Sequence, residues 1–187
     1  GENWTYGVGM DLLGCIIEKV SGMTFGNFMK ENIFEPLDMK DTAFAVPESE
    51  INRFTSMYTH KGASVGDIQR EFNDEIFPND LILMDSYEDS PYLKMNKVED
   101  GGSGLISTAE DYLKFGQMLN DRGSFEGKTI LSENAFAMLS GSYMEDFGLL
   151  GIVSLGVGQA ICMAKITNPA FSQYYQSEGS LFWGGAA

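Results

Sequence analysis

Positive charge is what this sequence has least of. Twelve Lys and Arg stand against 27 Asp and Glu among 187 residues, leaving a formal net charge of −15 at neutral pH. A field of that sign repels phosphate backbones and anionic lipid surfaces, so no nucleic-acid partner is expected. Histidine is reduced to His60. Any His-based triad would have to use it, yet it sits in Tyr58-Thr59-His60-Lys61-Gly62, a polar, turn-like segment where an exposed loop histidine is expected. The two cysteines, Cys15 and Cys162, are distant in sequence. They imply neither a disulfide framework nor a zinc site and leave the redox compartment open. No His, Cys and carboxylate cluster has ligand spacing, so no metal and no cofactor is expected. Gly101-Gly102-Ser103-Gly104 precedes a helix, but no Lys-Ser/Thr pair follows, which argues against a phosphate cradle. Long apolar runs are scarce too. Phe147 to Ala164 is free of formal charge over 18 residues, but Gly148, Gly151, Gly156 and Gly158 fall within it. Glycine at that density suits buried strands joined by tight turns, not a membrane span.

What is present suits a globular chain: 43% hydrophobic, 21% charged and 12% aromatic residues. The chain opens at Gly1 without a basic, apolar leader and stops at Ala187 behind an apolar run. It is therefore expected to be a piece of a larger domain, its compartment unassigned. A helix is expected from about Met10 to Ser21, where Leu12, Leu13, Ile16, Ile17 and Val20 make one broad apolar stripe and Gly22 is the stop. Thr24 can cap a second helix that turns Phe25, Phe28 and Met29 inward and ends by Pro36. Ser107-Thr108-Ala109-Glu110 reads as a capping box for a third, which carries Tyr112, Leu113, Phe115, Met118 and Leu119 and stops at Gly123. Ser132 starts a fourth, ending near Gly141. Between Val46 and Glu99 no period is sustained, and a long surface excursion is expected there.

Two short motifs could carry chemistry. Trp4-Thr5-Tyr6-Gly7-Val8-Gly9 precedes the first helix, and Phe182-Trp183-Gly184-Gly185 closes the chain. Taken singly, each has a plain packing explanation: a tyrosine buried before a helix, and a strand edge bending at a turn.

Read in order with the segments between them, they resemble the serine β-lactamase and penicillin-binding-protein superfamily, in its class C-like branch. Four blocks carry the resemblance. The first is Trp4-x-Tyr6 running into Leu12-Leu13-Gly14-x-Ile16-Ile17-Glu18-x-Val20-Ser21-Gly22. Ile33-Phe34-x-Pro36-Leu37-x-Met39-x-Asp41-Thr42-x-Phe44 is the second. Then come Gly101-Gly102-Ser103-Gly104-Leu105-Ile106-Ser107-Thr108-Ala109-x-Asp111-Tyr112 and Trp183-Gly184-Gly185-Ala186-Ala187. That family works with a Ser-x-x-Lys helix, a Tyr-x-Asn loop and a Lys-Thr-Gly strand. The resemblance makes Tyr6 the general base and puts Trp183-Gly184-Gly185 at the Lys-Thr-Gly position, with the Ala186 N–H as an oxyanion-hole donor.

Three departures shape the expectation. Val8 stands where the loop asparagine would be, and Trp183 where the strand lysine would be. Trp-Gly-Gly is similar to family VIII carboxylesterases, which points to a small-molecule ester (or amide) substrate with apolar groups. None of the nine lysines has a serine three positions before it, so Ser-x-x-Lys is missing from these residues. Cys162-x-x-Lys165 has the spacing but follows Tyr6, whereas in the family the nucleophile precedes that tyrosine. The nucleophile is therefore expected upstream of Gly1, and the 187 residues alone are expected to be inactive.

The resemblance implies an α+β, β-lactamase/transpeptidase-like fold, truncated at both ends. One partial domain is expected, mostly helical with long loops over about residues 10–140 and with antiparallel sheet strands over about 147–187. The implied activity is serine ester hydrolysis through an acyl-enzyme. β-Lactamase or D-Ala peptidase activity and a non-catalytic binding or regulatory homologue are the alternatives. The oligomeric state is left open.

Overall fold

A computed structural model describes residues 7–60, 81–94, 98–144, 148–149, 152–153, 155–172 and 175–184. Helix α1 (Gly9–Ser21) matches the sequence expectation to within a residue. Gly22 ends it at φ 73°, the left-handed geometry a β-carbon disfavours, and returns its N–H to the Glu18 carbonyl. Helix α2 (Phe25–Met29) is capped by Thr24, whose Oγ1 accepts from the Asn27 N–H at 3.3 Å, and it continues as a π-helical turn over Lys30–Phe34. Two more first-turn donors are used by distant carboxylates. Phe25 N–H donates to Glu18 Oε1 at 2.9 Å, and Gly26 N–H to Glu99 Oε2 at 2.5 Å. All three acceptors relieve helix-start N–H groups that have no partner within the helix.

α1 meets α2 through Gly14, its buried residue, which lies against the Phe25 ring. The apolar stripe read from its sequence faces outward instead, with Leu12 60%, Ile16 55% and Val20 83% exposed. Periodicity shows that a helix has a face to cover. It does not say what covers it.

Helix α3 (Ala109–Asn120) behaves in the same divided way. Met118 is buried and Phe115 and Leu119 pack inward, while Tyr112 and Leu113 are exposed. Its cap lies one residue later than the sequence suggested. Thr108 Oγ1 accepts from the Asp111 N–H at 3.2 Å, while the Ser107 hydroxyl bonds Thr42 Oγ1 at 2.7 Å. Phe34, Leu37, Met39, Met118 and Phe125 form the core between α2 and α3. Leu37 is completely buried, worth about 1.5–3 kcal/mol for such a side chain.

A polar latch locks this core. The buried Asp111 accepts through Oδ2 from the Asp41 N–H at 2.7 Å and from Thr42 Oγ1 at 3.0 Å, and through Oδ1 from Lys114 Nζ at 3.3 Å. Asp41 in turn holds Arg53 in a two-pronged pair, both contacts at 2.7 Å. The Asp41-Thr42 and Ser107 to Asp111 blocks therefore grip one another. Asp111→Ala would leave the Asp41 N–H without its acceptor and remove one partner each from Thr42, which keeps Ser107, and from Lys114, which keeps Asp38. It is expected to cost about 2 kcal/mol in urea unfolding of the chain, whereas Arg53→Ala at the exposed end should have a distinctly smaller effect. Equal effects would refute the latch.

The polar excursion contains more order than its sequence suggested. A 3₁₀ turn spans Glu48–Arg53, and strand β1 (Met57–His60) pairs antiparallel with β2 (Leu81–Asp85), with an irregularity between Met57 and Tyr58. His60 therefore ends a strand, opposite Leu81, and is not in a turn. A pairing partner 21 residues away leaves no local period to read. After α3, β3 (Ser124–Phe125) and β4 (Lys128–Thr129) form a hairpin through Glu126 and Gly127, at φ 47° and 78°. Helix α4 (Glu133–Leu139) starts at Ser132, whose Oγ accepts from the Ala135 N–H at 3.2 Å.

The C-terminal region is built of strand pairs. β5 (Gly148–Leu149) pairs with β6 (Ile152–Val153), and β7 (Val157–Gln159), β8 (Ala164–Ile166) and β9 (Leu181–Phe182) form a three-stranded antiparallel sheet in that order. Val157, Ala164 and Ile166 make its buried face, with Phe182 against them. Among the described residues the strands thus fall into separate small sheets, and no helix is long and apolar enough to cross a membrane.

Candidate active site

The two ends of the expected site are held by different elements. Val8 sits in the N-cap position of α1 at φ −78° and ψ 25°, without a capping hydrogen bond from its side chain, and is 67% exposed. Trp183 directly follows β9 and is 40% exposed. Gly184 opens onto free space, with no neighbouring atom within 4 Å of where a β-carbon would stand. Val8 and Trp183 are thus both exposed within these 187 residues. Tyr6, Gly185 and Ala186 lie outside the described residues. α1 packs on α2, whereas β9 is placed by β8, with Ala164 opposite Phe182 and Lys165 opposite Leu181.

Cys162 does not have the surroundings of an activated nucleophile. It lies in the turn between β7 and β8 at φ 64°, where Ala160 N–H donates to the Met163 carbonyl at 2.8 Å. Although the residue is exposed overall, burial pushes its thiol pKa up, opposite to what thiolate chemistry needs. Lys165 Nζ is turned to the Ser140 carbonyl at 2.6 Å. The Cys-x-x-Lys spacing falls across a turn and a strand, and no helix turn brings its ends together.

A cavity of about 750 Å³ lies between the Phe25–Phe34 helix and the chain from Asp38 to Pro47. Phe34, Met39, Phe44 and Val46 supply its apolar wall, and Lys30 and Glu99 are at its edge. Of the expected site residues that are described, none lines it, and its described lining includes no cysteine or serine.

Sequence reading missed one arrangement at the head of α1. The Gly101-Gly102 pair packs directly on its first turn, where a β-carbon on Gly101 would collide with the Met10 carbonyl oxygen. Gly102 N–H donates to Asp11 Oδ1 at 2.6 Å. The only sequence signals were an acidic residue in a helix's first turn and an Asp-Gly-Gly-Ser run 89 positions later, and nothing local connects them.

The Beta-lactamase family model matches residues 1–186, nearly the whole chain. The chain belongs to the β-lactamase family. Protein Rv1367c of Mycobacterium tuberculosis is 26% identical to this β-lactamase-family chain over 194 residues, which is 100% of the chain and 44% of the relative. Esterase EstB of Burkholderia gladioli is 25% identical over 185 residues, 99% of the chain and 45% of EstB. Among solved structures, EstCE1, described as a hydrolase with promiscuous acyltransferase activity, superposes with a TM-score of 0.70 at 22% identity, covering 98% of the chain and 46% of EstCE1. The β-lactamase-family chain thus has the family's fold of helices plus small antiparallel sheets, and spans under half the length of these relatives.

Proposed function

We propose that the chain carries part of the active site of a serine ester hydrolase that works through an acyl-enzyme. In this reading Tyr6 is the general base and the Ala186 N–H is an oxyanion donor. Val8, Trp183, Gly184 and Gly185 form the surface against the substrate. The serine oxygen attacks the ester carbonyl carbon as Tyr6 takes its proton, and the developing oxyanion is met by backbone N–H groups. Collapse breaks the carbon–oxygen bond to the alcohol, which leaves with the proton from Tyr6, and water then releases the acid. A phenol titrates near 10, so Tyr6 needs an adjacent cation to act as a base at neutral pH.

The observation that carries the reading is the pair Val8 and Trp183. By the resemblance, an isopropyl group and an indole, both exposed within these residues, take the positions at which β-lactam-recognising members have an amide and an ammonium. The esterase name of EstB agrees with that exchange. Since no Ser-x-x-Lys occurs in these residues, the nucleophile and its lysine are assigned to sequence beyond them, consistent with a chain spanning 44–46% of its relatives.

Purified residues 1–187 are accordingly expected to show no turnover of p-nitrophenyl butyrate above background, while a longer product of the same gene should hydrolyse it and be labelled by a fluorophosphonate on a serine. Turnover by the 187 residues that disappears in Cys162→Ala would overturn the assignment of the nucleophile. A longer product without Ser-x-x-Lys that binds esters unchanged would replace the enzyme reading with the non-catalytic one.

A further inference from the structure

Val8, Leu12, Ile16 and Val20 recur at every fourth position and so form one ridge along α1, about 18 Å long at 1.5 Å per residue. The Leu12 N–H donates to the Val8 carbonyl at 3.2 Å, which carries the ridge back onto the residue before the helix. All four residues are between 55% and 83% exposed. The packed side of α1 is the opposite one. Gly14, which meets the Phe25 ring, lies about 200° around the helix from both Leu12 and Ile16. Both carboxylates of α1 have partners elsewhere: Asp11 accepts from the Gly102 N–H and Glu18 from the Phe25 N–H. A helix of 13 residues draws most of its stability from packing its apolar face, and within these residues that face is bare.

We propose, on the hydrolase reading above that assigns Ser-x-x-Lys to sequence beyond these residues, that Leu12, Ile16 and Val20 are the docking face for the segment carrying the nucleophile. That segment packs apolar side chains of its own against the ridge, and Val8, at the ridge's head, is left toward the substrate.

Two observations select this occupant. The chain spans 44–46% of the relatives it matches, so more than half of each relative lies outside the matched part. Val8 is also one of the residues placed against the substrate, and the attacking serine has to reach that same substrate. A segment that delivers a serine to the head of α1 arrives beside the ridge. A second copy of the chain fits this face less well, because it would bring another formal charge of −15 with it.

Photo-crosslinking in the longer gene product tests the docking. p-Benzoylphenylalanine replaces Ile16, or Val20 should the first variant not fold, and the crosslinked peptide is identified by mass spectrometry. The expected partner is the helix that contains Ser-x-x-Lys. With the probe at position 16, Val20→Asp should cut the crosslink yield at least about tenfold, because it carries a carboxylate into the covered face. The same substitution should leave the 187-residue chain folded, since the position is open there. A crosslink to any other part of the longer product would overturn the docking, and a covalent dimer would overturn it in favour of a second copy. The readout needs no turnover. A product that hydrolyses p-nitrophenyl butyrate but crosslinks elsewhere would therefore sink the docking alone, whereas a longer sequence without Ser-x-x-Lys would sink the hydrolase reading together with it.

Discussion

Replacing Tyr6 with Phe in the complete enzyme is expected to lower kcat by about 10²–10⁴-fold, the usual contribution of a positioned acid or base. The substitution removes the phenolic oxygen and keeps the ring, so a tyrosine that merely packs before α1 would register in neither stability nor turnover. Proton transfer is needed twice per cycle: from the serine during attack, and to the alcohol as it leaves. A residue serving both steps affects kcat and kcat/KM together, because the interaction it makes is strongest in the transition state. The measurement is steady-state hydrolysis of p-nitrophenyl butyrate beside thermal unfolding of the same sample. A loss under threefold at unchanged melting temperature would remove Tyr6 from the reaction and leave it as packing.

The complete enzyme should also prefer short-chain p-nitrophenyl esters to a chromogenic cephalosporin by at least about two decades in kcat/KM. A cephalosporin presents a carboxylate that a lysine at the Trp183 position would pair with, and an amide that an asparagine at the Val8 position would bond. Indole offers an aromatic face and a single N–H, and valine offers no polar atom. Forgoing one charge-assisted hydrogen bond weakens recognition by about 1.5–3 kcal/mol, or about 10–150-fold, before the missing amide is counted. Both positions are exposed, so substitutions there alter what a ligand meets without opening a cavity. Trp183→Lys should narrow the gap only in part, because Val8 still lacks the amide. Equal kcat/KM for the two substrates in the unmutated enzyme would replace the esterase reading with the β-lactamase one.

Where local chemistry decides an outcome, the amino-acid order was sufficient. Gly22 ends α1 because a left-handed residue is needed there, and Thr24 and Ser132 cap their helices because a hydroxyl can reach a free N–H three residues on. The glycine-dense stretch after Phe147 is short paired strands joined by turns where it is described, since glycine disfavours a helix of that length. The four family blocks were legible for the same reason, being contiguous residue patterns, and the match over residues 1–186 bears them out.

Tertiary structure decided what depends on partners distant in sequence. Ser107 was expected to cap α3, but the cap is Thr108, and the Ser107 hydroxyl bonds Thr42, 65 positions earlier. The Asp41-Thr42 and Asp111 blocks, quoted for resemblance, turn out to hold each other through one buried carboxylate. His60 lies in a strand because Leu81 pairs with it, and Asp11 accepts from the Gly102 N–H because a glycine loop comes close to the head of α1. Periodicity marked an apolar stripe on α1, while the packing within these 187 residues uses Gly14 and leaves Leu12, Ile16 and Val20 exposed. A single sequence records which side chains prefer to leave water. Which surface comes to meet them is a property of the assembled chain, because that surface is made of residues no local pattern connects.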